Sequence, residues 1–233
     1  MGDSGAALLK DADWGARVQT RISAKAKRIS LRVDVAEGCI VLVRPKRASD
    51  TLVAAFLHDQ RRWIEKHAAM LPEKAAITDG SEIAVLGETL TVRAAPSARR
   101  GVWKEGGVIH VSGAPEHMAR RLRDFLKSQA RNAFAAWARG FAEALNVKVM
   151  HVGVRDTVTR WGSCTRDGRI SLSWRLVLAP ADVARYVVAH EVAHLKHMNH
   201  APAFWRTVET LVEDTPAQRQ WLRRHGASLH GMF

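Results

Sequence analysis

The chain switches period part-way along. In its first half, apolar and polar residues alternate. Ile29, Leu31, Val33 and Val35 interleave with Arg28, Ser30, Arg32 and Asp34, which predicts a half-buried strand. Glu37-Gly38 predicts a turn and residues 39–43 the returning strand, with residues 18–22 expected on its other side. Residues 1–13 are small and polar and are expected to fray, and the β-like pattern begins at Trp14. Ser49 or Asp50 can cap a helix to about His67, with Leu52, Ala55, Phe56 and Ile64 as its apolar line, Trp63 near its end and Pro72 closing the segment. Four short strands follow at 83–86, 90–94, 102–104 and 108–112, with turns at Gly87-Glu88 and Gly106-Gly107.

After Pro115 the period becomes helical. Met118, Leu122, Phe125, Gln129, Ala133, Trp137, Phe141 and Leu145 recur at three- and four-residue steps and predict one long helix with a single buried stripe. Its other faces carry Arg120, Arg121, Arg123, Lys127, Arg131 and Arg139, a solvated face or a wall guiding an anionic substrate. Residues 147–155 read as a strand. Asp167-Gly168 between residues 157–164 and 169–174 is a hairpin signal. Further helices are predicted from Pro180, over 202–213, and from Thr215-Pro216 to near Leu229. The class is α+β, with a β-rich part over 14–115 packed on a helical part over 116–233.

Composition narrows the class. An apolar fraction of 47% in 233 residues supports a core without disulfides, and the two cysteines, Cys39 and Cys164, form no C-x-x-C pair. There is no leader-like N-terminus and no apolar run of about 18 residues, so a cytoplasmic protein with no membrane partner is expected. The net charge of +13 is spread over both halves and makes nucleic acid a possible partner rather than an established one. No oligomeric state is assigned.

The chemistry concentrates in Tyr186 to His200. His190-Glu191-Val192-Ala193-His194 is an H-E-x-x-H motif inside the helix that starts at Pro180. Four helical residues turn about 400° and climb about 6 Å, so the two imidazoles leave one face, a turn apart, and can share an ion. Glu191 is rotated away from that pair and stands where a carboxylate can take a proton from water. The third ligand comes from His197 or His200. His197 would lie about 10.5 Å along the axis from His190 if the helix continued, too far for three rungs to converge. A break near Asn199 would instead return His200 toward the ion, and His200 is the choice made here.

The sequence resembles the YgjP-like metallopeptidases. The matching stretches are Arg160-Trp161-Gly162-Ser163-Cys164, Ile170-Ser171-Leu172-Ser173-Trp174-Arg175-Leu176, the run from Tyr186 to Leu195, Asn199-His200 and Phe204-Trp205. Weaker similarity reaches Arg28-Ile29-Ser30-Leu31-Arg32-Val33. Ser173 stands where that family usually has Asn. The resemblance implies a zincin-like fold, Zn2+ held by His190, His194 and His200, and Glu191 as the catalytic base. It also makes the 157–174 hairpin the candidate edge for an extended substrate, with Gly162 keeping the backbone approachable and Arg160 or His151 available to an oxyanion. Trp161 is expected in the core. The expected function is zinc-dependent hydrolysis, foremost of a peptide bond, with a peptide or small anionic substrate. The rivals are a metal-dependent phosphohydrolase acting on nucleotides and a non-enzymatic nucleic-acid-binding protein.

Overall fold

The computed structural model describes residues 18–34, 38–69, 71, 77–157 and 159–233. The expectations for residues 1–13, Trp14, Glu37 and Pro72 lie outside the described residues. Contacts divide the chain into two units, residues 1–75 with 230–232, and residues 76–229 with Phe233. The sequence changes period at 115/116, whereas the contacts divide at 75/76.

In the first unit, β1 (Val18–Ser23), β2 (Ser30–Asp34) and β3 (Cys39–Pro45) form a sheet ordered β1-β3-β2. β3 is central, antiparallel to β2 and parallel to β1, and its Ile40 and Leu42 are fully buried. The Ser49 hydroxyl caps α1 (Asp50–Asp59) by accepting from the Leu52 amide at 3.2 Å. The predicted single helix is interrupted at Gln60, and α2 (Arg61–Ala69) continues after it. The buried line is Val53, Leu57, Ile64 and Ala68, while Leu52, held in the capped first turn, is 57% exposed.

The described residues of the second unit form two sheets and four α-helices. β4 (Glu82–Val85), β5 (Glu88–Ala95), β6 (Val102–Glu105) and β7 (Val108–Ser112) are ordered β4-β5-β7-β6, with β5 and β7 parallel. A 3-10 turn over Pro115–His117 leads into α3 (Met118–Leu145), which Asn146 ends in the left-handed conformation at φ 53°. Mid-helix, the buried stripe runs one residue later than predicted, through Leu126, Ala130, Phe134 and Ala138. The prediction weighted the large side chains of Phe125 and Trp137. Packing instead uses the small Ala130 and Ala138, which let α4 and the 3-10 segment Trp174–Leu178 close on α3. Much of the basic face has partners. Arg121 donates to the Ser112 carbonyl at 2.9 Å, Arg123 lies over the Phe233 ring, Lys127 lies over Trp174, and Arg120 faces Asp124.

β8 (His151–Arg155), β9 (Gly162–Cys164) and β10 (Arg169–Ser173) form the sheet β8-β10-β9, so β8 and β9 are opposite edges. The predicted strand over 147–155 is shorter, beginning at His151. The hairpin signal is placed correctly, but its turn spans Thr165 to Gly168, with Gly168 at φ +81°. α4 (Ala181–Ala193), α5 (Pro202–Glu209) and α6 (Thr215–Gly231) follow. α4 is buried on nearly all sides and packs against α3, α5 and β9. Among the described residues no helix is long and apolar enough to cross a membrane.

Candidate metal centre

α4 delivers the first two histidines. Pro180 occupies the cap position, and Asp182 puts a carboxylate in the first turn, where the helix dipole favours it. Regular α-helix stops at Ala193, earlier than the break expected near Asn199. The Leu195 and Lys196 amides reach back only three residues, to Val192 and Ala193, tightening the last turn. Asn199 instead shapes the entry to α5. Its side-chain oxygen accepts from the Ala201 amide at 3.4 Å, just before Pro202 opens that helix.

This early end brings His200 back. Its Nε2 lies 3.1 Å from the Nε2 of His190, and one ligand atom from each of His190, His194 and His200 falls within 4.8 Å of the others. Among the described residues this is the one such group of three. His197 is not part of it, yet its backbone matters. The His194 Nδ1–H donates to the His197 carbonyl at 3.1 Å. A carbonyl can only accept, so His194 carries its proton on Nδ1 and leaves the Nε2 lone pair free. Burial pushes His190 down to about 3, with the charges of His194, His200 and Arg219 adding to the effect. His194 is lowered mainly by burial. Both are therefore neutral near pH 7, the state that binds metal.

Phe204, fully buried, underlies all three rings. Its centroid is 4.8 Å from His190, 4.6 Å from His194 and 4.7 Å from His200. Trp205 covers the His190 and His200 side at 5.8 and 5.7 Å. The donor set, three imidazole nitrogens and no thiolate, fits a borderline divalent ion such as zinc with one position open.

Glu191 is 5% exposed, and its Oε2 has no hydrogen-bond partner among the described residues. Burial pushes its carboxyl up to about 7, against the pull of the Arg160 charge. β9 runs directly against it, since a Cβ on Gly162 would stand 2.5 Å from the Glu191 Oε1. Nearby Cys164 is pushed up to about 11 by burial and by the charges of Glu191 and Asp167, so it stays a neutral thiol and no nucleophile.

The two oxyanion candidates separate. Arg160 lies close enough to act on Glu191, whereas His151 sits on the opposite sheet edge. There it lines a cavity of about 490 Å³ with Arg139, Glu143 and Lys148. Trp161 packs against the core and on Gly226, where an added Cβ would meet its ring at 2.9 Å.

Residues 27–225 match the YgjP-like family, described as a metallopeptidase domain. The chain belongs to this family. No curated protein matches this YgjP-like chain. Among solved structures it is similar to the metallopeptidase zymogen abylysin of Pyrococcus abyssi, at 21% identity and a TM-score of 0.36, over 43% of this chain and 99% of that one. A score that low carries no weight for the fold.

Three side chains of this YgjP-like site had no role assigned from the sequence. Tyr186, four residues before His190, shares its helical face, and its ring stands 6.0 Å from that imidazole. The i, i+4 spacing could have found it. Phe204-Trp205 matches the family pattern, but only the packing of α5 and α6 brings Phe204 and Arg219 to the histidines.

Proposed function

We propose that the protein is a zinc-dependent hydrolase of zincin-like fold that cleaves peptide bonds. One observation carries the reading: three imidazole nitrogens lie within 4.8 Å of one another beside a buried carboxylate. His190, His194 and His200 would hold the ion. When bound, it would polarise the scissile carbonyl and acidify a water. Glu191 would accept the water's proton and pass it to the leaving amine. Among the described residues β9 pairs only with β10, so its other edge would offer backbone donors and acceptors to an extended peptide. Arg160 is the group available to the carbonyl oxygen as it gains charge.

The phosphohydrolase alternative would draw on further carboxylate ligands, and among the described residues the group of possible ligands is three histidines. The test is to load the protein with zinc, confirm one equivalent by elemental analysis, and offer it casein-type peptides and nucleoside triphosphates side by side. Peptide cleavage lost in Glu191→Gln and on chelation supports the proposal. Triphosphate cleavage without peptide cleavage overturns it, as does salt-sensitive nucleic-acid binding with no hydrolysis at all.

A further inference from the structure

Arg219 differs from the other arginines of the second unit in what it leans on. Its guanidinium carbon lies 4.6 Å from the centre of the Trp205 ring. That indole is itself packed on two histidines of the triad, 5.8 Å from His190 and 5.7 Å from His200. Together these distances hold the guanidinium within about 10 Å of the ligand rings, the span of about three extended residues at roughly 3.3 Å each.

Arg219 is also available. Its side chain is exposed, and among the described residues no carboxylate lies within ion-pair distance of it. Some exposed arginines do have such partners, as Arg61 has Glu65, Arg93 has Asp79 and Arg169 has Asp167, whereas Arg131 and Arg139, like Arg219, have none among the described residues. Its N–H groups make no hydrogen bond among the described residues, and the support of the ring means less rotamer freedom is lost when they bind. A planar fork of this kind matches a carboxylate, with two parallel charge-assisted bonds.

We propose that Arg219, braced on Trp205, is a carboxylate-binding subsite beside the metal centre, selecting peptides that carry a carboxylate within about three residues of the scissile bond. The proposal rests on the peptidase reading. The carboxylate belongs either to the peptide's C-terminus or to an Asp or Glu side chain.

The test measures peptide binding by calorimetry with zinc-loaded Glu191→Gln protein, which holds substrate without turning it over. One peptide pair differs only in a free or amidated C-terminus, and a second pair only in an internal Glu or Gln. Each is compared in the presence and absence of Arg219→Gln, with zinc stoichiometry as the check that the exposed substitution leaves the centre intact. The expected result is that at least one acidic peptide binds about tenfold more tightly than its neutral partner, and that Arg219→Gln abolishes the difference. The pair that discriminates identifies the source of the carboxylate. Equal affinities within both pairs, no binding of any peptide, or a preference that survives Arg219→Gln would overturn the subsite. Carboxylate-selective binding without cleavage by the Glu191 protein would sink the hydrolase reading and leave the subsite standing. Cleavage without carboxylate selectivity would do the reverse.

Discussion

Gly162→Ala tests how β9 and Glu191 fit together. The new methyl carbon would stand 2.5 Å from Oε1, 2.7 Å from Cγ and 2.8 Å from Cδ of Glu191. Carbon–carbon contacts are comfortable at about 3.5–4.0 Å, so the carboxylate must retreat by about 1 Å. Gly162 is not among the positive-φ glycines, and alanine therefore adds no backbone strain there. The effect is steric and falls on one side chain. A misplacement of about 1 Å in a reacting group costs roughly 100-fold, so kcat should fall about that far, toward the Glu191→Gln level. Zinc affinity, read by competition with a chromophoric chelator, should not change, because no ligand moves. Overpacking should cost about 2 kcal/mol in urea unfolding. The decisive measurement is a double-mutant cycle. In a Glu191→Ala background the methyl group has room, and most of that destabilisation should vanish. An equal loss of stability in both backgrounds, or near-wild-type kcat in Gly162→Ala, would refute the contact.

Glu191 makes the metal-free protein pH-sensitive. Its carboxyl is raised from 4.5 to about 7 by burial, so the folded state binds the extra proton between those values. The stabilisation is complete below 4.5 and lost as pH rises through about 7, worth about 3 kcal/mol. Chelated Glu191→Gln should therefore unfold at higher urea than wild type at pH 8 and lose that advantage toward pH 5; an advantage equal at both would contradict the burial. Phe204→Leu should weaken zinc about tenfold in chelator competition, because one ring spaces all three imidazoles. Asp156→Ala should cost about 2 kcal/mol in urea unfolding, the partial exposure of the aspartate tempering the penalty. It takes the carboxylate away from the Arg175 guanidinium, which is 3% exposed.

Short-range rules made some features legible in the sequence alone. The Ser49 cap, the turn ending at Gly168 and the shared face of His190 and His194 each depend on residues a few positions apart. So did the choice of His200 over His197, although its reasoning placed the helix end too late. Other features were decided by contacts the chain makes with distant parts of itself. Ala130 and Ala138 face inward because α4 must come close to α3, a requirement no periodicity records. Whereas β1 beside β3 was expected from the strand pattern, the parallel pairings of β5 with β7 and β8 with β10 join strands that are not adjacent in sequence. Gly162 against Glu191 and Arg219 over Trp205 arise in the same way. The sequence determined that His190 and His194 share one face, since helical geometry is periodic and local. Only the tertiary structure decided what presses on the base and which charge overlooks the histidines, since those depend on packing in three dimensions.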